Sequence, residues 1–218
     1  VILFFDGPDG SGKTTLLSRV AAAAPAHGLH PVVAPPLWTF VEPIAAPEDF
    51  AHWVTCTPAV EVARYLLVAM SRRIEALVDH DLPHTGSPVV KLVDRGPRTV
   101  LCSALAHTAT TKMDGVPTGR DRDLDEGRRG LDAMLTRLAS VDALFAVELR
   151  PPGVSLTIER LSELEHLTNR YIEYLGTLAR AFDQVPGHRH VTQLVLPAER
   201  TVDRNTSAVL RWLSDHAR

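Results

Sequence analysis

Eight residues near the start of the chain, Gly7-Pro8-Asp9-Gly10-Ser11-Gly12-Lys13-Thr14, fit the spacing G-x-x-x-x-G-K-[ST], and Thr15 follows. The three glycines let the backbone turn tightly enough to aim several N–H groups at one anion, at the positive end of a helix beginning near Lys13. Lys13 would neutralise phosphate charge and the Thr14 hydroxyl would ligate Mg²⁺. The phosphate-binding set is therefore Gly7, Gly10, Ser11, Gly12, Lys13, Thr14 and Thr15. Five apolar residues, Val1 to Phe5, lead straight into it. A strand, a glycine loop and a helix in that order are the context such a cradle needs.

A second group of chemically able residues closes the apolar run Val89-Val90-Lys91-Leu92-Val93 with Asp94-Arg95. Phosphoryl transfer needs a cation across the phosphates, an acidic group to orient that cation, and arginine to meet charge on the transferring group. Lys13, Thr14, Asp94 and Arg95 supply those types, so Lys13, Asp94 and Arg95 are the catalytic candidates, with Thr14 and Asp94 as the metal pair. Val41-Glu42-Pro43 offers a carboxylate in a proline-set turn, able to accept a hydroxyl proton or to bind a sugar hydroxyl. Between Glu61 and Arg73, the guanidinium groups of Arg64, Arg72 and Arg73 could fork onto an anionic acceptor. Ten histidines are present, but pairs such as His188 and His190 lack a supporting carboxylate or cysteine set and read as surface residues. Trp38, Phe40 and Trp53 could wall a base pocket or pack in the core.

The elements that must hold these residues are legible as apolar β-rich runs at Val1 to Phe5, Pro31 to Ala34, Val89 to Val93, Ala143 to Leu149 and His190 to Leu196. Segments of helical length separate them, so a parallel α/β sheet covered on both faces is expected, with ligands along the strand C-terminal edge. Helices are predicted at Thr14 to Ala24, Pro58 to Val78, Arg98 to His107, Leu124 to Ala139, Leu156 to Val185 with a break, and Thr201 to His216. In the second of these, Val62, Leu66, Ala69, Arg73 and Leu77 recur at helical spacing. The polar, charge-dense stretch from Thr108 to Arg129 reads as a mobile excursion, at about residues 108–130, over the ligand edge.

Composition bounds the rest. The 218 residues, 45% hydrophobic and 22% charged, suit one domain over residues 1–218. A net charge of -3 gives no field that would gather nucleic acid. No apolar run approaches the roughly 20 residues needed to cross a bilayer, and the start lacks the features of a signal peptide. A cytoplasmic location is expected, with Cys56 and Cys102 as reduced thiols. A chain that starts at Val1 suggests a first strand beginning earlier than shown.

Taken together, these residues resemble the thymidylate kinases. Phe5 to Thr15 is similar to that family's phosphate loop, including an internal aspartate that contacts the acceptor sugar, a role the resemblance gives to Asp9. Glu42-Pro43 resembles the family's Arg-Glu-Pro turn without its arginine, and equally the Pro-Glu-Pro turn of deoxynucleoside kinases, whose glutamate is the base. Glu61 to Arg73 is similar to the helix whose arginine grips the acceptor, with Arg72 as the match. Asp94-Arg95 resembles the Asp-Arg-Tyr motif, and Leu149 to Arg160 and Tyr171 to Leu178 resemble the late strand and helix. The resemblance implies a P-loop NTPase three-layer sandwich in the nucleoside-monophosphate-kinase arrangement. It also implies a homodimer packed through helices.

Three departures qualify the acceptor. Gly96 stands where the family has tyrosine, and Thr99 to Ala104 lacks the Ser…Ala-Tyr-Gln segment whose glutamine reads thymine. The arginine-rich lid is compressed, so Arg98, Arg120, Arg122, Arg128 or Arg129 would have to supply its charge. The expected activity is Mg²⁺-dependent transfer from ATP to a nucleotide-like acceptor, resembling dTMP kinase, with Asp9, Glu42, Arg72 and Arg95 on the acceptor. Two alternatives stand beside it: a nucleoside or nucleoside-like natural-product kinase acting on a hydroxyl, and a nucleotide-binding accessory protein without transfer chemistry.

Overall fold

The computed structural model describes residues 1–41, 44, 53, 56–78, 87–112, 121–151 and 169–216. Five strands form one parallel sheet: β1 (Ile2–Asp6), β2 (His30–Val33), β3 (Val89–Asp94), β4 (Leu144–Arg150) and β5 (Val191–Pro197), in the order β2-β3-β1-β4-β5. The helices are α1 (Lys13–Ala23), α2 (Ala59–Val78), α3 (Pro97–Lys112), α4 (Asp121–Ala139), α5 (Asn169–Gln184) and α6 (Val202–His216).

The apolar run at the N-terminus is continuous because both faces of β1 are covered. Ile2 and Phe4 point into a core shared with α2, α3 and α4, whereas Leu3 and Phe5 point into a second core built by α1 and α6. Alternate residues of one strand thus serve two cores, and all five strand residues are buried. A third cluster joins Cys102 and Ala106 of α3 to Tyr174, Leu175, Leu178 and Phe182 of α5. Burial pushes the Cys102 thiol up to about 12, which suits a packing residue.

On α2 the predicted stripe is the buried face: Val62, Leu66, Ala69, Arg73 and Leu77 are all inside. The central strand position of β1, with β3 on one side and β4 on the other, puts the loop after it at the sheet's switch point. The polar stretch 108–130 is entered by helix from both sides, with α3 running to Lys112 and α4 starting at Asp121; residues 113–120 lie outside the described residues. Periodicity had placed the end of α3 near His107, but helical hydrogen bonding continues one turn further. Among the described residues, no helix is long and apolar enough to cross a membrane.

Candidate active site

The loop between β1 and α1 owes its shape to backbone angles that glycine alone adopts readily. Gly7, Gly10 and Gly12 have φ of 142°, 74° and 90°. A Cβ on Gly7 would also stand 2.6 Å from the Leu149 carbonyl oxygen of β4. Helix α1 then starts without a side-chain cap and without an acidic residue in its first turn. Its positive end is left for an external anion. The base of the loop is tied down by a residue that motif reading passed over: Thr99 of α3 accepts from the Gly7 N–H (3.1 Å) and donates to Asp6 Oδ1 (2.7 Å). Burial raises the Asp6 carboxyl, partly offset by its hydrogen bonds from Thr99.

Lys13 is buried, and its ammonium donates to the Pro8 carbonyl at 2.7 Å. Burial lowers its pKa to about 8, against the pull of Asp9. Thr14 Oγ1 donates to Asp94 Oδ2 at 2.8 Å, while the buried Asp94 Oδ1 has no hydrogen-bond partner among the described residues. A buried acceptor without a donor, beside a hydroxyl oxygen, fits the all-oxygen surroundings Mg²⁺ prefers. The Ser11 hydroxyl is likewise buried without a partner inside the loop. Thr15 is exposed on the cleft wall.

Arg95 leaves the end of β3 in a left-handed conformation (φ 57°), a rare state for a residue with a side chain. That twist turns its guanidinium back across the cleft, where Nη1 lies 2.7 Å from Asp9 Oδ1. The other Asp9 oxygen accepts from the Tyr171 hydroxyl of α5 at 3.3 Å. Burial pulls the Asp9 carboxyl up, but Arg95 and Lys13 together outweigh it and hold the group below its ordinary value. The Arg95 pKa is raised, chiefly by Asp9. Burial pushes the hydroxyls of Tyr171 and Tyr174 upward, and the two rings stack 5.7 Å apart beside the cleft.

Two neighbouring arginines of α2 are placed differently. Arg72 is exposed, whereas Arg73 is fully buried and donates through Nη1 to the Asp94 carbonyl. Its Nε and Nη2 have no partner among the described residues, and burial lowers its pKa to about 10. The apolar stripe had already set Arg73 on the inner face of α2; alignment by motif favoured its neighbour. Gly96 also has a local cause, because a Cβ there would stand 2.6 Å from the Phe4 Cβ and 2.8 Å from both Asp6 carboxylate oxygens. Glu42, with Pro43, lies outside the described residues.

The cleft over the loop has a volume of about 630 Å³. Besides the loop itself it is lined by Arg95, Leu149 and Tyr171, and by Ala198, Arg200, Val202 and Asn205 after β5. Arg200 is thus a cation lining the cleft over the loop that motif reading missed, since it belongs to no motif. Arg98, considered for that charge, is engaged elsewhere: it pairs with buried Glu148 and donates to the carbonyls of Phe182 and Val185. Arg128 and Arg129 line a different cleft, and Arg120 lies outside the described residues.

Among solved structures, the chain is similar to deoxyadenosine kinase from M. mycoides with bound dATP, at a TM-score of 0.57 and 15% identity over 98% of this chain and 100% of that one. It is also similar to the same enzyme with the products dCMP and a flexible dCDP, at a TM-score of 0.61 and 14% identity over 99% and 100%. No family model and no curated protein matches the chain. The fold is therefore the α/β P-loop NTPase fold seen in a deoxynucleoside kinase, with a five-stranded parallel sheet.

Proposed function

We propose that this chain is an ATP-dependent kinase that phosphorylates a hydroxyl of a deoxynucleoside-like acceptor. The observation that carries the reading is one cleft lined by the glycine loop, by Thr14, which is bonded to Asp94, and by the Arg95–Asp9 pair. In this scheme the loop N–H groups and Lys13 hold the β- and γ-phosphates, and Arg200 adds charge at the cleft rim. Thr14 and Asp94 would hold Mg²⁺, which when bound neutralises charge on the phosphate oxygens. Asp9 binds an acceptor hydroxyl, and Arg95 meets the transferring group. Glu42 takes the hydroxyl proton as the acceptor oxygen bonds to the γ-phosphorus and the bond to the β-phosphate oxygen breaks, releasing ADP. The likeness to deoxyadenosine kinase supports a neutral nucleoside over a nucleotide such as dTMP.

A nucleotide acceptor is the second reading, favoured by the two donors of Arg73 that have no partner among the described residues, which suit an anion. The test is ADP release with Mg²⁺ and ATP across paired acceptors: deoxyadenosine with dAMP, thymidine with dTMP, and deoxycytidine with dCMP. Lys13→Ala serves as the control. Stimulation by nucleosides supports the proposal, and stimulation by monophosphates alone moves the acceptor group to phosphate. ATP binding with no acceptor-dependent release would overturn both and leave an accessory nucleotide-binding protein.

A further inference from the structure

We propose that a second cleft, between α4 and the turn joining α5 to β5, is a binding site for a small amphipathic anion. It has a volume of about 570 Å³ and shares no lining residue with the phosphate cleft. That size falls within the usual range for small-molecule sites.

The floor is apolar, formed by Leu101 of α3 and by Leu131 and Leu135 of α4, with Pro97 and Pro186 at its sides. The rim is basic. Arg128 and Arg129 come from α4 and Arg189 from the turn, and none of the three makes a hydrogen bond or ion pair with a described residue. The other polar groups are already committed: Arg98 to Glu148 and to two carbonyls, and Asp132 to His188, whose Nε2 lies 2.6 Å from Oδ1. Three uncommitted guanidiniums thus face one uncommitted carboxylate, that of Asp125. This excess is local, because the whole chain carries a net charge of -3.

Each half of this arrangement selects a part of the ligand. Guanidinium groups recognise phosphate, sulfonate or carboxylate through forked hydrogen bonds. The leucine and proline floor gains from covering by an aromatic or aliphatic body, which a bare inorganic ion does not supply. Asp132 and His188 clamp α4 to the turn, so the two sides of the cleft hold their spacing before a ligand enters.

The probe is anilinonaphthalene sulfonate, titrated by fluorescence into the full chain with the phosphate cleft saturated by Mg²⁺ and ATP. The expected result is saturable binding that is weakened at least about tenfold in the combined variant Arg128→Glu, Arg189→Glu, as loss of charge-assisted hydrogen bonds implies. The variant's melting transition, followed by circular dichroism, should be retained. If it fails to fold, Arg128→Gln with Arg189→Gln makes the same comparison. Phenyl phosphate should displace the dye at lower concentration than inorganic phosphate. Competition by dAMP against phenyl phosphate then separates a nucleotide source from another aromatic anion. Absence of saturable binding, indifference to the arginine changes, or equal displacement by the two phosphates would each overturn the proposal.

Discussion

Lys13 carries the charge on which the cradle depends, and its burial works against that charge. An ordinary lysine titrates near 10.4, whereas this one is lowered to about 8. Phosphate favours the ammonium form, so above pH of about 8 ATP binding must take up a proton. Affinity for ATP should be nearly flat below that pH and fall by up to about tenfold per pH unit above it. Calorimetric titration in buffers of different ionisation enthalpy would show the proton uptake directly; a flat profile to pH of about 10 would mean that the lysine stays charged without ligand. Arg73 makes the complementary case. Replacing a buried, incompletely bonded charge with an apolar side chain of similar length is often neutral or stabilising. Arg73→Met should therefore keep or raise the melting temperature, yet, on the nucleotide-acceptor reading, raise the acceptor KM at least about tenfold through lost guanidinium contacts. Arg72→Met, at an exposed position, should leave that KM within about twofold. Equal behaviour of the two variants would remove Arg73 from the acceptor site.

Two glycines show how the same substitution acts in opposite senses on different elements. Gly96 sits where α3 begins, pressed against β1, with its N–H donating to the Phe5 carbonyl at 3.2 Å. Gly96→Ala forces a methyl group against the Phe4 Cβ and the Asp6 carboxylate. A loss of about 1–3 kcal/mol is expected from this overpacking, read from urea unfolding. Gly130 lies within α4, with no described residue within 4 Å of where its Cβ would stand. There Gly130→Ala should stabilise by about 0.5–1 kcal/mol through helix propensity. Failure of the first variant to destabilise would mean that the Asp-Arg-Gly turn is free to shift away from β1.

Over the molecule as a whole, buried Glu148 in β4 ties several elements together. It pairs with Arg98 of α3 and Arg150 of its own strand, and accepts from Gln193 of β5. Arg98 in turn donates to the carbonyls of Phe182 and Val185, at and after the end of α5. Glu148→Leu leaves the nearly buried Arg98 without its carboxylate and should cost about 3–5 kcal/mol. Adding Arg98→Met should recover much of that loss, since the orphaned charge is then gone. Additive losses in the double variant would show that the pair does not act as a unit.

The local placement of the motif groups was readable from the chain alone. The glycine loop, Lys13, Thr14 and the Asp94-Arg95 pair follow from short-range spacing, and the five strands from runs that two covered faces make apolar. The stripe on α2 marked its inner face, Arg73 included, because helical periodicity is a property of consecutive residues. Which distant groups meet was decided only by tertiary structure. Thr99 reaches Gly7, Tyr171 reaches Asp9, and Arg200 enters the cleft over the glycine loop through crossovers that leave no local pattern. The same holds for Arg98, whose charge is consumed by Glu148, and for Gly96, whose missing side chain makes room for Phe4 and Asp6. Spacing along a chain determines what a segment can do, but close packing between segments determines which groups are left free to do it.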